Sequence, residues 1–273
     1  MATVVETALL TAAIRARESS RRDPLVNDPL ASALAGPEGR SLLGRMDRLV
    51  PPPSPFDIVP VRTWWIDERL GAISQLAAIQ QVVLLGAGMD TRAFRMKCLE
   101  RATVFELDRG ELHAIKESRL NGVCVASAAK RVPITADLGV ASLQDLLAGT
   151  GFDPAVPSVW IAEGVFIYLD EGSVQRVLQE AAMLSPPGSW LLADMVDPGL
   201  FELETGAEAR DLLRNEGIPL VAGVQHPLRL ISECGWNATS RQLSMIARSV
   251  GRIDVTAPIG SPDGYLIVAR RSA

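Results

Sequence analysis

Apolar residues recur at helical spacing near the start of the chain and later settle into short runs separated by turn residues. Val5, Leu9, Ala12 and Ala13 fall on one side of a helix predicted over Val4 to Glu18, ending near Ser19. Five prolines between Pro51 and Pro60 predict an extended or turned boundary, because proline fixes its own φ and biases its predecessor away from the helical region. Beyond it, Trp65, Ile66, Leu70, Ile73, Leu76 and Ala77 predict a helix over Val61 to Ile79 that leads straight into a strand at Gln81 to Leu85. Further strands are predicted at Thr103 to Leu107, Val132 to Thr135, Val159 to Ala162 and Ser189 to Asp194, with a last strand at Tyr265 to Arg270 and a partner for it at Asn237 to Leu243. Strand alternating with helix predicts an α/β, doubly wound, Rossmann-like parallel sheet covered on both faces. Pro198 to Val224 carries no strand signal and mixes charges with glycines, which reads as an inserted cap over the sheet's C-terminal edge. The expected organisation is one domain, 1–273: an N-terminal helical region 1–80, a cofactor-binding core 81–196, a cap 197–226 and the C-terminal part of the sheet, 227–273.

The apolar run Val82 to Leu85 delivers Gly86 and Gly88 into a tight turn, and the strand VFELD ends at Asp108, 22 residues after Gly86. That is how a doubly wound sheet holds an adenosine, so a nucleoside cofactor is expected. Hydride carriers and methyl donors both present a ribose diol to such an acid. A dinucleotide calls for the full G-x-G-x-x-G run, whereas Thr91 stands at the third glycine position here. Asp90, beside the turn, would repel a pyrophosphate but suits the cationic sulfonium and ammonium of S-adenosylmethionine. The methyl donor is therefore favoured, with an NAD-dependent oxidoreductase as the alternative.

Four motifs in order, GAGMDTRAFR at Gly86, FELD ending at Asp108, ADL at Ala136 to Leu138 and AEGVFIYL at Ala162 to Leu169, resemble the leucine carboxyl methyltransferase family. Within it the likeness is to the bacterial branch that includes polyketide carboxyl O-methyltransferases of the tetracenomycin type. It begins at Thr7 to Ser19 with DPLVNDPLA, passes through RTWWID at Arg62 to Asp67, and fades after Val196, covering roughly two-thirds of the chain. The resemblance implies a class I methyltransferase sheet and S-adenosylmethionine as cofactor. It also implies methyl-ester formation on a small aromatic or polyketide-type acid.

Each motif falls at a predicted strand end, where an open α/β sheet binds its ligand. Asp108 is expected to accept hydrogen bonds from both ribose hydroxyls, with a solvated helix-capping aspartate as the alternative. Asp137 and Leu138 are expected to frame the adenine, though Asp137 also reads as an N-cap of the following helix. By the resemblance, Glu163 meets the methionine moiety and Arg62 grips its carboxylate. The alternatives are a structural pairing of Glu163 with Arg62 or Arg92 and a surface position for Arg62. Arg17 lies where relatives place a basic residue that serves the cofactor, but with Arg15, Arg21 and Arg22 it also reads as a solvated basic face. Tyr168 is expected to face substrate, and Trp64 and Trp65 to line the acceptor pocket or the core.

No hydrolase-type constellation is visible. His113 and His226 have no sequence-visible acid partner, and a phenol acceptor, with an ordinary pKa of about 10, often needs a base. A carboxylate acceptor does not. The choice tilts towards carboxyl methylation, with phenol O-methylation as the alternative and His226 as its base; a cofactor-binding protein without turnover is a further class. Three cysteines, Cys98, Cys124 and Cys234, lack a C-x-x-C spacing and suggest neither a disulfide framework nor a metal site. A formal charge of −5 with acids and bases interspersed gives no nucleic-acid footprint. The apolar N-terminal stretch has its first arginines after it rather than before it, the wrong polarity for a signal peptide. No membrane span is expected, and the protein is expected to be cytoplasmic and to act on a small-molecule acid.

Overall fold

The computed structural model describes residues 4–49, 57–123, 126–202, 211, 214, 223–252 and 262–272. Its strands are β1 (Gln81–Leu85), β2 (Thr103–Asp108), β3 (Lys130–Thr135), β4 (Ser158–Ala162), β5 (Trp190–Val196), β6 (Asn237–Gln242) and β7 (Gly264–Arg270), in one sheet of order β3-β2-β1-β4-β5-β7-β6. The first five are parallel, and β7 runs antiparallel between β5 and β6. Central strands β1 (QVVLL) and β4 (SVWIA) bury every residue, as strands covered on both faces must. Edge strand β3 is mostly half-buried or exposed, and it carries Pro133, which lacks the N–H that a central strand would need.

Successive residues of β1 enter opposite cores. Val83 and Leu85 join Phe105, Leu107 and Trp160 under helices α6 (Leu143–Leu147), α7 (Glu171–Met183) and α8 (Pro227–Glu233). Val82 and Leu84 join Val104 and Ile161 under α3 (Ile58–Leu76), the short α4 (Arg92–Arg95) and α9 (Leu243–Ser249). A third core unites α1 (Val4–Ser19), α2 (Ala31–Leu49) and α5 (Gly110–Asn121). Chain order reverses between β1 and β4, which opens a crevice beyond their carboxyl ends, and α1 lies across it.

Strand bounds agree with expectation to within one or two residues, and the helix predicted from Val61 begins at Ile58 instead. Pro60 is tolerated there because the first turn of a helix leaves its N–H groups unbonded anyway. The prolines from Pro51 to Pro55 lie outside the described residues, as does Cys124. Helix α2 has no counterpart in the sequence reading: Gly36, at φ 60°, and Pro37 interrupt it. Of the expected cap, the described part includes a 3-10 turn at Pro198–Glu202. Among the described residues no helix is long and apolar enough to cross a membrane.

Glu106 on β2 is fully buried and receives Lys116 Nζ at 3.0 Å and Arg131 Nε and Nη2 at 2.9 and 2.7 Å. Burial pushes its pKa up, but the two cations outweigh this and bring it from the ordinary 4.5 to about 2. A depressed carboxyl pKa contributes stability that is present above the unfolded value and lost as pH falls through the folded one. Acid titration from pH 4.5 to 2 is therefore expected to destabilise the wild type more steeply than Glu106→Gln, measured by urea unfolding at each pH. At pH 7 the variant is expected to be less stable by roughly 3–5 kcal/mol, since Lys116 is left as a buried, uncompensated charge. Equal pH slopes in the two proteins would refute this.

Candidate cofactor and acceptor site

The turn after β1 is shaped by glycine. Gly86 has φ 66°, its N–H and that of Ala87 donate to Leu107 O at 2.9 and 3.1 Å, and a Cβ on it would lie 2.6 Å from Val165 Cγ2. Gly88, at φ 44°, donates its N–H to Asp108 Oδ2 at 2.6 Å, while Arg109 N donates to Oδ1 at 2.7 Å. Each carboxylate oxygen of Asp108 thus keeps a lone pair for the crevice. Burial pushes the Asp108 pKa up, against the pull of these two N–H groups.

Gly86, Gly88, Asp108, Asp137, Leu138, Arg62 and Glu163 all line one cavity of about 320 Å³. The structure brings together every strand-end residue singled out from the sequence. Asp137 is exposed, accepts Gly139 N at 3.0 Å and faces Arg109 at 3.7 Å. It does not cap α6, whose N-cap is Ser142. Leu138 is buried beside it, its carbonyl held by Arg176 Nη2 at 2.6 Å.

The polar end of the cavity is a continuous ion-pair network. Glu163 Oε1 accepts Thr63 Oγ1 at 2.6 Å and Arg62 Nε at 3.2 Å, and its Oε2 accepts Arg92 Nη2 at 2.6 Å. The pairing with Arg62 or Arg92 that the sequence left open is thus made with both. Burial opposes the charge on Glu163, but the two guanidinium groups hold its pKa far below the carboxylate range. Arg62 also donates Nη1 to Asp194 Oδ2 at 3.2 Å, and Asp194 Oδ1 takes Gly164 N at 2.6 Å. Arg92, 1 % exposed, gives Nε to Asp67 at 2.7 Å and Nη1 to Asp90, and Asp67 is shared with Arg95 at 2.6 Å. Arg62 Nη2 makes no hydrogen bond among the described residues, so this buried guanidinium retains donors for a ligand carboxylate.

Three expectations are corrected. Arg17 does not line the cavity; it reaches Asp47 at 2.8 Å and Asp57 at 2.6 Å. Arg15, two residues earlier on α1, is the arginine that faces the crevice, fixed by Asp28 at 3.0 Å and Met89 O at 2.6 Å. Trp64 packs against the core beneath α3 with Trp65, and neither lines the cavity. His226 is exposed at the N-cap of α8, away from the cavity, and His113 contacts Ile134 O at 3.0 Å. Tyr168 does line the cavity; burial pushes its phenol pKa up, and the nearby buried Thr7 hydroxyl has no hydrogen-bond partner among the described residues. Thr63 and Asp194 were not singled out from sequence, and Arg92 was, only as an alternative partner for Glu163. The contacts that tie them to Arg62 and Glu163 span 71 to 132 residues of chain, beyond the reach of local spacing.

The strand order, its reversal beside β1, and a glycine turn facing an acid at the end of β2 define the class I methyltransferase form of the Rossmann-like fold. A family model described as leucine carboxyl methyltransferase matches residues 8–182, and the chain belongs to that family. Relatives named putative S-adenosyl-L-methionine-dependent methyltransferases include one from Frankia alni, 34 % identical over 98 % of this chain and 94 % of its own length. Another, from Streptomyces avermitilis, is 34 % identical over 97 % and 95 %. Among solved structures, a duf574 family protein from Streptomyces avermitilis superposes with TM-score 0.66 at 15 % identity, covering 95 % of this chain and 96 % of that one. A putative methyltransferase from Thermobifida fusca gives 0.63 at 15 %, covering 97 % and 94 %, a likeness of fold alone. The dinucleotide alternative does not survive the family match, and Thr91, at the third glycine position, is buried and hydrogen-bonded to Arg95.

Proposed function

We propose that this methyltransferase forms a methyl ester on the carboxylate of a small aromatic or polyketide-type acid, with S-adenosylmethionine as cofactor. The observation that carries this is the state of Glu163. It is locked between Arg62 and Arg92 and held deprotonated far below its ordinary pKa, so it is a poor base for a phenol. An acceptor that arrives already ionised needs none.

The residues fit the cofactor by their chemistry. Asp108, with one free lone pair on each oxygen, would take the ribose hydroxyls, and Leu138 with Asp137 would frame the adenine. Arg62, Arg15 and Glu163 would hold the charged methionine end. When bound, the cofactor would supply an electrophilic methyl on a sulfur that can leave with its electron pair, so an ionised carboxylate held in line would accept the methyl with no proton to move. The chain's own part is orientation, worth about 7–11 kcal/mol in favourable cases. Ala8, Ile58, Val59, Val165, Ile167 and Leu200 give an apolar wall suited to an aromatic acceptor, and α1 with the Leu200 turn keeps water out. Tyr168, a neutral donor, would orient the acceptor's second oxygen.

The test follows the label. Product carrying a labelled methyl group from incubation with a panel of aromatic acids is expected to release labelled methanol under mild alkali, and His226→Ala is expected to leave turnover intact. Label that resists alkali would replace the ester by a phenyl ether, and a loss of roughly 10²-fold or more in His226→Ala would then name its base. No transfer to any acid would leave a binding protein without turnover.

A further inference from the structure

Along the ion-pair network at the polar end of the cavity, Glu163 bridges Arg62 and Arg92, and Asp67 bridges Arg92 and Arg95. Asp90 and Asp194 each meet a single guanidinium, that of Arg92 and that of Arg62. Three arginines therefore face four carboxylates, and among the described residues no other cation joins the chain of pairs. Arg15 beside it is matched by Asp28, and so adds no charge. One negative charge is left over in a wall whose side chains are at most 14 % exposed, where solvent screens it poorly.

The two forms of the cofactor differ by one charge. S-adenosylmethionine carries a carboxylate, an ammonium and a sulfonium, a net of one positive charge. Its product, S-adenosylhomocysteine, is neutral overall. We propose that this network is a charge selector, whose surplus negative charge, set by Asp90 and Asp194, favours the cationic cofactor over the neutral product. Asp90 lines the cavity itself, whereas Asp194 stands behind Arg62 and Gly164 and acts through its field and through the guanidinium it positions. At an effective dielectric of about 20, two unit charges still change an affinity about tenfold across roughly 12 Å, so neither residue needs to touch the sulfur. Loss of the charge on methyl transfer then weakens the hold on the product at the moment it forms. The inference rests on the cofactor, not on the acceptor proposed above.

The experiment compares dissociation constants for S-adenosylmethionine, S-adenosylhomocysteine and sinefungin, an analogue with an ammonium group in place of the methylated sulfonium, by calorimetry on the full chain. Asp90→Asn and Asp194→Asn are each expected to shift the preference about tenfold from S-adenosylmethionine towards S-adenosylhomocysteine, with sinefungin following S-adenosylmethionine. Asp194→Glu, which keeps the charge, is expected to keep the preference. Equal weakening of all three ligands would reduce both residues to structural parts and overturn the proposal. So would a shift confined to Asp90→Asn, which would mean a local contact rather than a net charge. Thermal melts identify a variant that does not fold, and should Asp194→Asn be that variant, Asp67→Asn, which removes a charge of the same network outside the cavity lining, takes its place. Wild-type protein that binds none of the three ligands would refute the cofactor itself, an outcome distinct from an unchanged preference.

Discussion

Arg92→Ala is expected to lower stability by roughly 3–5 kcal/mol and to abolish measurable cofactor binding. The guanidinium is 1 % exposed and binds Asp67, Asp90 and Glu163 together. Removing it leaves three carboxylates crowded in a poorly solvated wall with only Arg62 and Arg95 to balance them. Those charges must then repel one another or take up protons, and either outcome moves Glu163 and the turn at Asp90. Arg92→Lys should recover little, because a point charge cannot span three acids that a planar fork reaches through separate nitrogens. Urea unfolding with a constant m value measures the first effect and calorimetry with S-adenosylmethionine the second. A variant that unfolds within about 1 kcal/mol of wild type would show that the network is not what holds α3 to the β1 and β4 strand ends.

Much of this architecture can be read along the sequence because its signals are local. Strands β1 and β4 announce themselves as apolar runs, VVLL after Gln81 and VWIA after Ser158, since burial on both faces leaves no polar alternation. Gly86 is legible for a related reason: its φ is positive and a Cβ there would lie 2.6 Å from Val165 Cγ2, so no side chain is admitted. Helix α2 was hidden because Gly36 and Pro37 break its pattern, while the contact that secures it, Gly39 against the backbone of Leu9, is tertiary. The choice between Arg15 and Arg17 was hidden for another reason. Two positions apart on a helix point to nearly opposite sides, so a motif that fixes position only approximately cannot fix direction. The burial stripe of α1, which runs through Leu10 and Ile14 and includes Arg15, would have favoured the buried arginine. The network around Glu163 joins residues from α3, the β1 turn, β4 and β5, and no single-sequence spacing links them.

Asp108→Ala is expected to weaken S-adenosylmethionine at least tenfold, since losing two hydrogen bonds to a charged acceptor costs roughly 1.5–3 kcal/mol or more. The carboxylate also receives Gly88 N and Arg109 N, so part of that loss could come from a loosened turn. A deoxy analogue separates the two contributions. In wild type, S-adenosylhomocysteine lacking the ribose 2′-hydroxyl is expected to bind more weakly than its parent, whereas in Asp108→Ala the two are expected to bind alike, because the partner of that hydroxyl is gone. A turn effect alone would leave the deoxy penalty in the variant. The pH dependence has a definite sign. Burial raises the Asp108 pKa, protonation removes the charge that accepts the hydroxyls, and affinity therefore falls as pH falls, beginning above the range of an ordinary aspartate at 3.8. Asp108→Ala is expected to lack this acid-side loss. If the variant keeps wild-type affinity, or keeps the full deoxy penalty, then Asp108 holds the glycine turn and not the ribose.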